Sequence, residues 1–263
     1  MKKVFITRRL PSVAKEILQE KFEVCGSDKN EPYPRNMLTD IVANYDAVLT
    51  TVSEKFDKKI LNQKGNLKVI SNYAVGLDNI NVKYAQSVGI TVYNTQDVVT
   101  NSTADLTFAI LLSLVRKISY AYDFVIKDKW KAWDPELFLG EELSGKVFGI
   151  LGFGKIGEAV ARRAKGFELD IIYYNRSNKE VDPFLRPYVT PVSLSDLLEN
   201  SDYLSIHLPF TNETKGFINK QTIHKMKKKP IILNMARGDI VNTYDLVEAL
   251  KSGKIRGAGL DVT

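Results

Sequence analysis

Short apolar, β-branched runs alternate with amphipathic segments along the whole chain. The first half holds KVFIT (3–7), FEVCG (22–26), AVLTT (47–51), LKVIS (67–71) and ITVYN (90–94). The second holds KVFGILG (146–152), DIIYYN (170–175), YLSIHLP (203–209), PIILNMA (230–236) and GAGLDV (257–262). None alternates strictly, so each predicts a strand covered on both faces, as in a parallel sheet. Between them lie segments of helical spacing such as SVAKEILQEK, with Pro11-Ser12 placed to cap its N-terminus. Strand and helix in turn from end to end predict an α/β protein of two doubly wound parallel-sheet domains.

The join falls where this rhythm is interrupted. TNSTADLTFAILLSLVRKISYAYDFVIKDKWKAW contains no Gly or Pro and carries an apolar stripe. It predicts one long helix, from near Asn101 or Ser102 toward Trp130 and Trp133. Its aromatic far end needs a partner surface, which suggests packing between domains or a homodimer. The expected domains are therefore 1–97, flavodoxin-like, and 98–263.

Composition narrows the class. The chain has 263 residues, 44% of them hydrophobic and 26% charged, as in an ordinary globular protein large enough for two cores. The only cysteine is Cys25, which excludes an internal disulfide and suggests a reducing, cytoplasmic setting. The longest apolar stretch, Leu106 to Val115, is too short to cross a bilayer, and the N-terminus lacks the apolar run of a signal peptide. A net charge of +6, from 37 basic and 31 acidic residues, could steer an anionic ligand. The densest basic run, Lys225 to Lys229, reads as a solvated helix end, because no aromatic platform or zinc spacing of a nucleic-acid site accompanies it. No metal cluster is expected.

The sharpest chemical motif is GILGFGKIGEAVARRA. Gly152, Gly154 and Gly157 follow an apolar strand and open an amphipathic helix. In that context the first glycine permits a tight turn, the second lets backbone approach a pyrophosphate, and the third lets helix and strand pack closely. The free N–H groups of the helix start then meet the anion. In such folds the next strand ends in Asp or Glu when the cofactor is NAD. Here it ends in Asn175-Arg176-Ser177. A guanidinium and two neutral hydrogen-bonding groups suit a 2′-phosphate, so NADP is the expected cofactor, with NAD possible.

Five stretches together resemble the D-isomer-specific 2-hydroxyacid dehydrogenases, particularly their glyoxylate and hydroxypyruvate reductase branch. They are SNYAVGLDNINV (71–82), VVTNSTADLTFAILL (98–112), GILGFGKIG, LSIHLPFTNETKGFIN (204–219) and ILNMARGDIVNTYDLVEALKSGKIRGAGLDV (232–262). The resemblance implies reversible hydride transfer between NAD(P)H and a small 2-oxo acid, in a cleft between a substrate domain and a cofactor domain. It implies that backbone amides at Val75 and Gly76 hold the substrate carboxylate. The position agrees, because a loop after a parallel strand is where ligands bind in open α/β sheets. It makes Arg237 the catalytic residue, gripping the acid as a fork and stabilising the alkoxide formed when hydride arrives. Thr103, Lys155, Ile156, His207, Leu208, Pro209 and Thr214 join the glycines at the cofactor, and Met235 and Ala236 present backbone to it. Asp261 would bond the nicotinamide carboxamide.

The reduction also needs a proton donor that titrates near neutrality. The family supplies a histidine, with a glutamate beside it, from positions that would fall beyond Thr263, which implies a chain that continues. His207 reads as a strand-end residue and His224 as an exposed helical one. The competing expectation is a dinucleotide-binding sensor or partner-binding module with little or no catalysis.

Overall fold

The computed structural model describes residues 1–26, 30–177 and 179–263. The chain folds as two units, Met1–Val98 and Val99–Thr263.

Unit 1 carries strands β1 (Lys3–Ile6), β2 (Glu23–Gly26), β3 (Ala47–Thr50), β4 (Val69–Asn72) and β5 (Thr91–Asn94). Its helices are α1 (Ser12–Gln19), α2 (Arg35–Asn44), α3 (Lys58–Leu61) and α4 (Val82–Ser87). The strands pair in parallel in the order β2-β1-β3-β4-β5, a doubly wound arrangement. Leu38, Ile41 and Val42 of α2 and Ile60 and Leu61 of α3 are buried with Val48, Ile70 and Ile90, which closes the core. Side chains fix two of the helix starts. Asp57 accepts the N–H groups of Lys59 and Ile60, and Asn81 that of Tyr84. At α1 Pro11 takes the cap position and no side chain caps it, so Ser12 is the first helical residue rather than a cap.

Unit 2 begins with α5 (Thr100–Val115) and α6 (Ile118–Ile126). It continues with β6 (Val147–Leu151), α7 (Lys155–Gly166), β7 (Asp170–Tyr174), β8 (Val189–Pro191), α8 (Leu194–Asn200) and β9 (Tyr203–Ile206). α9 (Lys220–His224), β10 (Ile231–Asn234), α10 (Thr243–Lys251) and β11 (Gly257–Leu260) complete it. Six parallel strands run in the order β11-β10-β9-β6-β7-β8, with the strand order reversing beside β6, the pattern of dinucleotide-binding folds. One core gathers Phe108 and Leu111 of α5, Val160 of α7, and Phe148, Ile150 and Leu233. A second gathers Leu197 of α8, Leu246 of α10, and Leu204, Ile206 and Ile232. A Cβ on Gly259 would lie 2.3 Å from Ile110 Cγ2, so β11 needs glycine to let α5 approach.

Two further expectations are corrected, and one strand was not foreseen. The single long helix is two, because Lys117 adopts φ 55° and the Val115 carbonyl accepts the Glu141 N–H at 3.0 Å. The returning segment around Glu141 thus takes the bond that would have continued the helix, a tertiary contact overriding local propensity. Trp130 and Trp133 lie beyond α6 and are exposed. The short strand β8 follows a 3-10 turn that no apolar run announces. The GAGLDV strand is less buried than its composition suggests, with Leu260 40% exposed.

Candidate active site

In unit 1 the loop after β4 leaves the carboxyl end of the sheet. Val75 is exposed and Gly76 half-buried. Their carbonyls are held by asparagine side chains, Val75 by Asn94 Nδ2 at 2.7 Å and Gly76 by Asn72 Nδ2 at 2.8 Å. The N–H groups of Val75, Gly76 and Leu77 make no hydrogen bond to any described residue. Consecutive unclaimed N–H groups form a concavity suited to an anion.

Behind the loop lies a buried polar cluster. Arg8 Nε meets Glu54 Oε1 at 3.0 Å, with both side chains nearly inaccessible. Glu54 Oε2 accepts the hydroxyls of Thr7 and Thr50 at 3.1 Å and of Thr51 at 3.2 Å. Three hydroxyls thus satisfy Oε2, while Oε1 faces the Arg8 guanidinium as a buried ion pair without a hydrogen bond of its own.

In unit 2 the glycine loop forms as its spacing demands. Gly152 has φ 96°, and a Cβ there would lie 2.8 Å from the carbonyl carbon and oxygen of His207. A Cβ on Gly157 would meet the Gly152 carbonyl oxygen at 2.5 Å, whereas one on Gly154 would meet nothing within 4 Å. Two glycines are therefore required by packing, and the third marks the open side. Gly154 stands at the N-terminal cap of α7, and no side chain caps that helix. Its first N–H groups are thus available to a phosphate. Lys155 is exposed, and Ile156 packs against the first core.

Asn175 turns inward. Its Oδ1 accepts the Phe153 N–H at 2.7 Å and its Nδ2 donates to the Phe153 carbonyl at 3.4 Å, stapling the glycine loop to the end of β7. Arg176 and Ser177 are exposed at that tip. The Arg176 charge reaches Glu213, whose carboxyl is held below its ordinary value, first by the Thr211 hydroxyl and to a lesser degree by that charge.

His207 pairs its Nε2 with Ser205 Oγ at 2.8 Å, and its Nδ1 is buried with no partner. Burial pushes its pKa down to about 4, so the ring is neutral at pH 7. Leu208 and Pro209 follow, and Thr214 Oγ1 donates to the Pro209 carbonyl at 2.8 Å, closing that turn. Met235 and Ala236 are buried at the end of β10, and Arg237 is half-buried, with Nη1 on the Ala236 carbonyl at 2.8 Å. Asn234 sets this turn. It accepts the Ala236 N–H at 3.1 Å and donates to the Arg237 carbonyl at 2.8 Å. Asp261 is exposed, and its N–H bonds the Asn234 carbonyl at 3.1 Å. Thr103 lies half-buried in the first turn of α5.

The carboxyl end of the unit 2 sheet thus gathers the glycines, Asn175, His207 and Arg237, and the cradle fits a dinucleotide. Sequence reasoning missed Asn72, Asn79, Asn94, Asn234 and Ser205; for Asn72, Asn94 and Asn234 an asparagine closing a strand ahead of a loop was the available signal. Among the described residues no group of three or more His, Cys, Asp or Glu could hold a metal ion. None of the described helices is long and apolar enough to cross a membrane.

Residues 108–263 match the model of the D-isomer specific 2-hydroxyacid dehydrogenase, NAD binding domain. The chain is 45% identical over 265 residues to a glyoxylate reductase of Pyrococcus horikoshii, covering 99% of this chain and 79% of that protein. It superimposes on the TT0316 protein of Thermus thermophilus with a TM-score of 0.91 at 39% identity, covering 99% of this chain and 82% of that one. It also matches the D-lactate dehydrogenase of Aquifex aeolicus complexed with NAD and lactic acid, with a TM-score of 0.85 at 30% identity, covering 98% and 76% of the two chains.

Proposed function

Because the chain belongs to the D-isomer specific 2-hydroxyacid dehydrogenase family of NAD(P)-dependent oxidoreductases, we propose that it reduces glyoxylate or a similarly small 2-oxo acid, with NADPH preferred over NADH. The observation that carries this reading is the glycine cradle: Gly152 against the His207 backbone, Gly157 against Gly152, and an open side at Gly154 above the uncapped start of α7. When bound, the nicotinamide supplies the hydride. Val75 and Gly76 of unit 1 offer unclaimed N–H groups to the substrate carboxylate. Arg237 of unit 2 binds the acid's oxygens and stabilises the negative charge that develops on O2 during reduction. Thr103, Lys155, Ile156, Leu208, Pro209, Thr214, Met235, Ala236 and Asp261 are assigned to the cofactor's surroundings. The neutral, half-buried His207 supports the cradle rather than donating the proton, since a group titrating at about 4 is a poor acid reservoir at pH 7.

NADPH preference rests on Arg176, exposed at a strand tip without a carboxylate among 175–177. A homodimer through α6 suits the exposed Tyr120, Tyr122 and Ile126, and the lone Cys25 fits a cytoplasmic setting.

One experiment tests the assignment: initial rates and nucleotide titrations with glyoxylate for the parent protein, Arg237→Ala and Arg176→Ala. Arg237→Ala lowers kcat by about 10²–10³-fold while nucleotide affinity holds. Arg176→Ala weakens NADPH about 10-fold or more and leaves NADH within about twofold. Equal losses for both nucleotides overturn the 2′-phosphate assignment, and unchanged kcat/KM removes Arg237 from the chemistry.

A further inference from the structure

The loop after β4 separates its carbonyls from its N–H groups by a relay of side-chain amides. Asn94 Nδ2 donates to the Val75 carbonyl and Asn72 Nδ2 to the Gly76 carbonyl. Asn72 is fully buried and exchanges bonds with Asn79, Nδ2 to Oδ1 at 3.1 Å and in return at 3.3 Å. Asn79 Nδ2 reaches the carbonyls of Thr51 and Glu54, each at 3.0 Å. Glu54 is the carboxylate of the buried pair with Arg8. An unbroken line of bonds therefore runs from a fixed charge pair to the backbone of the loop.

The geometry of the peptide unit gives this relay its consequence. A trans peptide places its carbonyl and its N–H on opposite sides of the chain, and the described residues contain no cis bond. Tying down the Val75 carbonyl therefore aims the Gly76 N–H the other way. Tying down the Gly76 carbonyl does the same for the Leu77 N–H. Each amide also polarises the peptide it holds, which strengthens the opposite donor. Released, either carbonyl could swing toward the anion and repel it.

We propose that Asn72, Asn79 and Asn94 are positioning residues for the substrate carboxylate, the first two through the relay to Gly76 and Asn94 as a separate, more accessible tether on Val75. This rests on the reading of the Val75–Gly76 loop as the carboxylate site. The asparagines touch neither substrate nor cofactor. They fix the direction of the donors and so set affinity for the acid, while the hydride-transfer step stays unchanged.

Oxamate, an inert carboxylate analogue, is titrated with NADPH present while backbone amide resonances are followed, and glyoxylate kinetics are measured in parallel. In the parent protein the Gly76 and Leu77 amides shift. Asn94→Ala, at a half-buried site that leaves the core intact, raises the oxamate Kd and the glyoxylate KM together by about 5–10-fold, the loss of one hydrogen bond. Its kcat stays within about twofold and NADPH affinity and Tm hold, because the cost falls on the donors alone. Asn94→Gln, which keeps a donor, recovers part of the loss, and Asn94→Asp, which adds a charge facing a carbonyl, loses more. If the parent amides shift but Asn94→Ala binds oxamate as tightly as the parent, holding a loop carbonyl does not position its donors and the proposal falls, although the loop remains the carboxylate site. If the parent amides do not respond, the loop reading falls and the proposal with it.

Discussion

At the carboxyl end of the unit 1 sheet, Thr7, Arg8, Thr50, Glu54, Asn72 and Asn79 are all buried. At the same end of the unit 2 sheet the buried polar residues, among those described, are Ser205 and Asn234, beside the neutral imidazole of His207, and glycines do the shaping. In the proposed reading both ends offer backbone N–H groups to an anion. Unit 1 holds a loop in place from behind, with side-chain amides anchored on a charge pair. Unit 2 strips side chains away, so that backbone packs on backbone and the start of α7 is left open. A loop of ordinary residues needs tethers to keep its peptide planes fixed. A turn with Gly152 at φ 96° is fixed by its own conformation and close packing. The first solution is exposed to the loss of a charge, the second to the gain of a methyl group.

Removing Glu54 is the strongest way to break the contrast. Glu54→Ala leaves the Arg8 guanidinium buried without its carboxylate and costs about 3–5 kcal/mol. Calorimetry is expected to show a lowered unit 1 transition with unit 2 unmoved; a single, unshifted transition would show that the pair is dispensable.

Acid sharpens the comparison in unit 2. His207 titrates at about 4 when folded and near 6.5 when unfolded, so below pH 6.5 the unfolded state takes up the proton first. Stability is whole above pH 6.5 and falls as pH drops toward 4, by about 3 kcal/mol for this group. Urea unfolding of the parent minus that of His207→Asn across this window isolates the effect from carboxylates titrating nearby. A difference independent of pH would mean that the ring is not buried neutral.

Gly152→Ala is expected to cost less stability than either of these. Its methyl would sit 2.8 Å from the His207 carbonyl, an overpacking cost of about 1–3 kcal/mol. Nucleotide binding is lost with it, as a fluorescence titration would report. The same substitution at Gly154, where space is open, leaves the fold as stable as the parent.

The alternation of apolar runs foretold ten of the strands and the doubly wound class, because a strand covered on both faces carries its signal within five residues. The glycine loop was equally legible, since turn, approach and packing are local to Gly152–Gly157. The break at Lys117 was not: nothing nearby forbids a helix, and what ends it is Glu141, 26 residues beyond Val115. The bond from Asn175 to the Phe153 backbone was not legible either, because it joins separate strand ends.

The sequence by itself determined the two parallel sheets and the glycine turn ahead of α7, because both arise from periodicity and backbone freedom within short windows. Only the tertiary structure decided which polar groups meet. Asn79 reaches Thr51 across 28 residues and Glu54 across 25, and Thr7 reaches Glu54 across 47. A buried amide must find its partner wherever the folded chain brings one, and that distance in sequence carries no local signal.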